Sequence, residues 1–167
     1  RVSSINLANY TIGLKAIVAV SGLVLFGFTV GHMLGNLQVF MGPAQINGYA
    51  KALHDNAPLL WGTRIVLLLA VVSHVGASLR LVKRNAAARP VAYAKVASSA
   101  STYASRTMRF TGPLLAAFII YHLLHLTLGK VTPFVELDAY GNLVRAFQIP
   151  AIAVSYMIAM GLLGFHL

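Results

Sequence analysis

Four long apolar segments alternate with polar connections along this chain. They run from about Tyr10 to Leu37, from Leu59 to Val82, from Met108 to Leu128 and from Val144 to Leu167. About 20 helical residues span a hydrocarbon core, and backbone groups inside lipid must be satisfied within each span, which favours helices over strands. The pattern therefore predicts an all-α transmembrane helix bundle of four spans in a single domain, residues 1–167.

Helix breakers mark the first connection. Gly42 and Pro43 open it, and its middle, Ala44 to His54, is predicted to form a short surface helix. The last apolar segment is still uninterrupted at Leu167, so we expect the natural protein to continue and a fifth span to follow.

Composition and charge support a membrane location. Of 167 residues, 58% are hydrophobic and 10% charged, more apolar surface than a soluble domain of this size can cover. The net charge is +10, but without a soluble domain to present a basic face we expect no nucleic-acid partner. More than half of the basic residues lie in or beside one connection, which the positive-inside rule places in the cytoplasm together with the N-terminus. They are Arg80, Lys83, Arg84, Arg89, Lys95, Arg106 and Arg109.

Each apolar segment carries a histidine: His32, His74, His122 and His166. An ionisable ring at membrane depth is costly and needs a partner. Counting about 1.5 Å per residue along helices that alternate in direction puts His32 and His122 in the outer part of the membrane, and the other two toward the cytoplasm. The chain has no cysteine and the spans have no carboxylate, so imidazole pairs favour haem iron over a hard cation. The sequence predicts two b-type haems at two depths.

Other interpretations of the same residues stay open. Each histidine could be a core residue bonded to a neighbouring helix, or part of a proton relay or metal transporter. Arg64, about seven residues into the second segment, can reach the headgroups or pair with a haem propionate. Tyr156 is among the aromatic residues expected to anchor span ends.

Glycines 27, 31 and 35 form a stripe spaced by four residues beside His32. Such a stripe serves close helix packing or clearance for a porphyrin plane, and the two uses are compatible.

Three runs of residues resemble one known family. They are GHMLGNLQVFMGPAQINGYAKALH (31–54), RFTGPLLAAFIIYHLLHLTLG (109–129) and GLLGFHL (161–167). They are similar to the cytochrome b subunit of succinate dehydrogenases and fumarate reductases, of the single-chain, five-helix, two-haem type. The resemblance implies a di-haem anchor in the bacterial plasma membrane. It would hold protohaem IX and carry electrons between an iron–sulfur subunit and menaquinone or ubiquinone.

The resemblance also implies ligand pairs and partners. His32 and His122 would hold the haem distal to the soluble subunits, and His74 and His166 the proximal one; depth alone gives the same pairs. A Thr-Gly pair about three turns before the third-helix ligand selects His122 over His125, which is left to contact a propionate or quinone. A flavoprotein subunit would interconvert succinate and fumarate, since this chain has no dehydrogenase active site. The basic loop would meet the iron–sulfur subunit or lipid headgroups. A di-haem anchor of a formate dehydrogenase or hydrogenase is the alternative.

Overall fold

The computed structural model describes residues 10–88 and 103–167, and the regular secondary structure of these residues is helical. The first four elements are α1 (Thr11–Asn36), a 3₁₀ turn (Leu37–Met41), α2 (Pro43–Asp55) and α3 (Ala57–Ala87). They are followed by α4 (Tyr103–His122), a π-helical turn (Leu123–Thr127), α5 (Ala139–Phe147) and α6 (Pro150–His166). The all-α prediction and the surface helix α2 are confirmed. The N-terminus and the centre of the basic loop, with Arg89 and Lys95, lie outside the described residues.

Within these described ranges, three helical stretches are long and apolar enough to cross a membrane. They are Thr11–Met41, Ala57–Ala87 and Arg106–Thr127. Many of their large apolar side chains are exposed, as expected where lipid surrounds a helix. Counting α5 and α6 as one bent span gives four.

The fourth segment, predicted as a span from near Val144 to Leu167, contains a break in the structure. Its helix breaks after Phe147, and α6 starts at Pro150 at 99° to α5. Proline has no amide hydrogen to continue a helix and disfavours helical backbone at the residue before it. Ile149 is accordingly extended, with ψ of 111°. The 17 residues of α6 rise about 26 Å, a little less than a full hydrocarbon core.

Close contacts group the chain into two compact units, and each unit is a helical hairpin. The first contains α1, most of α2, and α3; the second contains Met41–Asn47, α4, α5 and α6. In the first unit α1 packs along α3, and in the second α4 packs along α6. Small buried residues such as Ala70, Ala77 and Ala159 let the helices approach closely.

Asp138 organises the turn before α5. It caps that helix by accepting a hydrogen bond from the Gly141 amide (2.9 Å), and it also contacts Asn47 and Arg145. Asn47 in turn accepts a hydrogen bond from the Tyr140 amide at 2.9 Å. The Gly141 amide chiefly, and then Asn47 and Arg145, hold the pKa of Asp138 below its usual value.

This depressed pKa makes the stability of the second unit depend on pH. The contribution of Asp138 is present above the ordinary aspartate pKa of about 3.9 and is lost as pH falls through the lower folded-state value. We expect Asp138→Asn to lower the Tm of the purified protein at pH 7, with the Tm difference from wild type shrinking toward pH 3. Asp55→Asn, which removes only an exposed ion pair with Lys51, is the control and changes Tm less. An equal Tm difference at both pH values for Asp138→Asn would contradict the assignment.

Candidate functional site

His74 on α3 is held against α1 by two oxygen atoms. Its Nδ1 lies 3.2 Å from the carbonyl oxygen of Val18 and 3.2 Å from Oγ of Ser21. Ser21 is buried, and its hydroxyl donates to the carbonyl of Ile17 at 2.6 Å. Because a carbonyl oxygen only accepts, Nδ1 carries the imidazole proton. Nε2 is therefore the basic nitrogen of His74.

Gly22 gives the His74 ring its room. A Cβ at this position would lie 3.3 Å from Cε1 of His74, closer than most carbon contacts. A larger residue would push the imidazole away from α1 and from Ser21, so the glycine and the hydroxyl act together.

His166 on α6 meets α4 in the same way. Its Nδ1 lies 3.0 Å from Oγ1 of Thr111, which is buried and donates to the carbonyl of Thr107 at 3.2 Å. A Cβ at Gly112 would lie 3.5 Å from Cε1 of His166. If Nε2 of His166 binds iron, the proton of this ring is on Nδ1, and the Thr111 oxygen accepts from it while the hydroxyl proton goes to the Thr107 carbonyl.

The first helix of each hairpin carries three features in one register. They are a hydroxyl–glycine pair, a phenylalanine, and a histidine eleven residues after the hydroxyl. On α1 they are Ser21–Gly22, Phe28 and His32. On α4 they are Thr111–Gly112, Phe118 and His122. Each phenylalanine stacks on the histidine four residues later, with ring centroids 5.2 Å apart on α1 and 6.0 Å apart on α4.

The second helices also correspond. Each has a proline in its first turn and its histidine sixteen residues later: Pro58 with His74 on α3, and Pro150 with His166 on α6. The two hairpins therefore repeat one arrangement of helix starts, hydroxyls, glycines and histidines.

Within each hairpin the two histidines lie at different levels. His74 contacts α1 at Ser21, eleven residues before His32, and His166 contacts α4 at Thr111, eleven residues before His122. Eleven residues of α-helix rise about 16 Å. Each hairpin thus offers one imidazole at each of two levels.

The surroundings of the other two histidines are not alike. His32 is exposed within its unit, and the Asn36 side-chain nitrogen lies 3.3 Å from both of its ring nitrogens. His122 instead has its Nδ1 3.3 Å from the Tyr156 hydroxyl, which is also 3.0 Å from Nδ1 of His125. Tyr156 was expected at a span end; it lies inside α6, where it contacts both histidines.

His125 is fully buried, and among the described residues its Nε2 has no hydrogen-bond partner. The Tyr156 hydroxyl has a single proton, so it can donate to only one of its two histidines. If Nε2 of His122 binds iron, Nδ1–H of His122 donates to Tyr156, which then donates to Nδ1 of His125. The proton of His125 then sits on Nε2.

Tyr156 could have been found from spacing. It precedes His166 by ten residues on α6, a rise of about 15 Å. Since α4 and α6 are joined at one end by the Thr111–His166 contact, that rise brings Tyr156 to the level of His122.

Arg64 lies on the exposed surface of α3. Its guanidinium carbon is 5.0 Å from the centroid of the Trp61 ring, a cation–π distance. Its predicted pairing with a propionate stays a prediction.

The glycine stripe on α1 has two kinds of surroundings. A Cβ at Gly35 would lie 2.7 Å from the Tyr49 hydroxyl, whereas a Cβ at Gly27 or Gly31 would meet no described atom within 4 Å. Gly35 therefore serves close packing against α2. Gly27 and Gly31 leave an open strip of helix surface before His32.

Each predicted haem pair takes one histidine from each unit, and the pairing stays a prediction. No protein-family model, curated protein or solved structure matches the chain at a significant level. The resemblance to the di-haem cytochrome b subunits is carried by the quoted motifs alone.

The two kinds of glycine are expected to respond differently to a methyl group. Gly35→Ala forces Tyr49 to move, and overpacking of this kind costs about 1–3 kcal/mol. Gly27→Ala is the matched control: it meets open space, and alanine is favoured over glycine in a helix by roughly 0.5–1 kcal/mol. Thermal unfolding followed by circular dichroism should give a lower Tm for Gly35→Ala only. Equal Tm values for the two variants would refute the packing role of Gly35.

Proposed function

We propose that this chain is a di-haem cytochrome b that anchors a succinate:quinone oxidoreductase in the bacterial plasma membrane. It passes electrons between the iron–sulfur subunit and menaquinone or ubiquinone. The observation that carries the proposal is the repeated hairpin, because it supplies one imidazole at each of two levels, twice. Two bis-histidine irons need that number of ligands at those levels.

Three arguments assign the same ligand pairs. Depth counted along the sequence pairs His32 with His122 and His74 with His166. The family resemblance pairs them identically. The register of the two hairpins makes the members of each pair equivalent residues.

The residues fit a haem in their hydrogen bonding. Histidines that bind metal almost always donate the other ring nitrogen to an oxygen acceptor, which fixes the tautomer. His74 and His166 have Nδ1 beside the oxygens of Ser21 and Thr111, and in the proposal their Nε2 atoms coordinate the iron. The open strip at Gly27 and Gly31 offers clearance for a flat macrocycle.

Bound haem supplies one-electron transfer, and two imidazoles per iron leave no position for oxygen. In the proposal, the chain's own residues hold the ligands in orientation. In the proposal Arg64 pairs with a propionate, and the buried His125 donates from Nε2 to an oxygen of a propionate or a quinone.

Partners follow from charge and resemblance. Basic residues near the C-terminal end of α3 and the N-terminal end of α4, such as Arg84 and Arg106, would meet the iron–sulfur subunit or anionic headgroups at the cytoplasmic surface. A flavoprotein subunit would carry the succinate chemistry, and a fifth span would complete the anchor.

Haem quantitation on four alanine variants tests the ligand pairs. Each variant removes one imidazole and leaves its iron with a single protein ligand. We expect His32→Ala and His122→Ala to lose the same haem, and His74→Ala and His166→Ala to lose the other. Pyridine haemochrome assays and reduced-minus-oxidised spectra of the complex measure this.

His54→Ala is the control for these variants. His54 lies on the exposed surface of α2, where its Nδ1 contacts the Ala50 carbonyl, and both haems should be retained. Loss of both haems from every ligand variant would leave the pairing unsupported. Full haem retention in any one would refute that residue as a ligand. A wild-type complex without protohaem would refute the cytochrome proposal.

Affinity purification through this chain tests the identity of the enzyme. We expect a flavoprotein subunit with covalent flavin and an iron–sulfur subunit to co-purify with succinate:quinone reductase activity. Recovery of formate dehydrogenase or hydrogenase subunits instead would favour the alternative di-haem anchor.

A further inference from the structure

We propose that Ser21 and Thr111 are equivalent positioning residues, which hold the two ligands of a single haem and lower its reduction potential. This inference rests on the proposed function and concerns the haem assigned to His74 and His166. Neither residue would touch the iron; each would act through the imidazole that it contacts.

The first step is the direction of the hydroxyl protons. Ser21 donates to the Ile17 carbonyl at 2.6 Å, and Thr111 to the Thr107 carbonyl at 3.2 Å. In both cases the acceptor is the carbonyl four residues earlier, a common bond for hydroxyls inside helices. In the proposed site Nε2 of each histidine binds iron, so Nδ1 carries the proton and the facing hydroxyl oxygen accepts from it.

The second step is the confinement of each ring. Gly22 and Gly112 directly follow the two hydroxyl residues. A Cβ at Gly22 would lie 3.3 Å from Cε1 of His74, and a Cβ at Gly112 would lie 3.5 Å from Cε1 of His166. Each ring is therefore seated over a glycine with Nδ1 turned to the adjacent oxygen. The same pair of contacts occurs independently in both hairpins.

The third step is the electronic consequence. An Nδ1–H that donates to an oxygen makes the imidazole a stronger donor at Nε2. A stronger donor stabilises ferric over ferrous iron, and hydrogen bonding around the ligand is one way in which a protein sets a haem potential. Removing the hydroxyls should raise the potential of the haem that these histidines bind.

The other level differs, which makes the effect selective. The ring of His32 lies beside the Asn36 amide, and Nδ1 of His122 faces the phenol of Tyr156. Ser21 and Thr111 are separated from His32 and His122 of the same helices by about 16 Å of helix rise. The potential of the haem assigned to His32 and His122 should therefore stay constant.

The test is a redox titration of the whole complex in native membranes. Ser21→Ala and Thr111→Val should each raise the potential of the haem that is lost in His74→Ala and His166→Ala, and leave the other unchanged. The double variant should shift the potential furthest, because both ligands then lose their hydroxyl acceptor; the Val18 carbonyl still accepts from His74 in every variant that lacks Ser21. Ser21→Thr and Thr111→Ser keep a hydroxyl and should restore values near wild type.

Thr29→Val is the matched control. The Thr29 hydroxyl donates to the Leu25 carbonyl at 2.9 Å, so its removal deletes the same kind of bond from α1 away from His74. A potential that moves equally in Thr29→Val would mark a general helix effect and overturn the inference.

The outcomes separate the two proposals. Unshifted potentials in Ser21→Ala and Thr111→Val, with both haems present, would overturn the positioning role and leave the cytochrome proposal standing. A wild-type complex without haem would overturn both. If Thr111→Val loses haem, loss of the His166 haem alone with recovery in Thr111→Ser supports the inference, and loss of both haems overturns it.

Discussion

A histidine ring between membrane helices must satisfy two nitrogens where no water is available. That requirement governs the rest of this structure. Nδ1 of His74 and of His166 is met by oxygens on the neighbouring helix, and an unsatisfied buried group would cost about 1–3 kcal/mol. In both hairpins the neighbouring helix carries a small hydroxyl residue at that level and a glycine next to it. These contacts lie where α1 packs on α3 and where α4 packs on α6.

The two hairpins share this hydroxyl–glycine arrangement but differ near the histidine of their first helix. Three residues after its first-helix histidine, the first hairpin has Gly35 and the second has His125. A tyrosine hydroxyl lies beside each of these residues. The Tyr49 hydroxyl on α2 lies beside Gly35, and the Tyr156 hydroxyl on α6 lies beside His125. Glycine admits the phenol against the backbone, whereas the imidazole bonds to it. The same register thus gives close packing in one hairpin and a polar cluster in the other.

Much of the fold was predictable because it follows from length, hydropathy and helix breakers. The apolar runs and Gly42–Pro43 gave three long helices and α2. The break in the fourth segment was not predicted, because hydropathy does not reveal it: Gln148 and Ile149 are compatible with a span, whereas Pro150 disfavours helical backbone at the residue before it. Counting residues also predicted that the two histidines of each hairpin lie at different levels. The partners of the rings were not predicted, because Ser21 and Tyr156 are ordinary residues until the helix pairs bring them within 3.2 Å of a ring nitrogen.

The proton order around Tyr156 connects this cluster with the proposed cofactor. Iron on Nε2 of His122 requires the proton of that ring on Nδ1, so the phenol must accept there and donate to His125. His125 is then a buried donor at Nε2, and a buried donor needs an acceptor. Propionate and quinone oxygens are acceptors. Without iron on His122 the order could run in reverse, and His125 would instead present a lone pair at Nε2. In the proposed cytochrome, the ligand role of His122 and the oxygen contact of His125 would therefore be coupled through the Tyr156 hydroxyl.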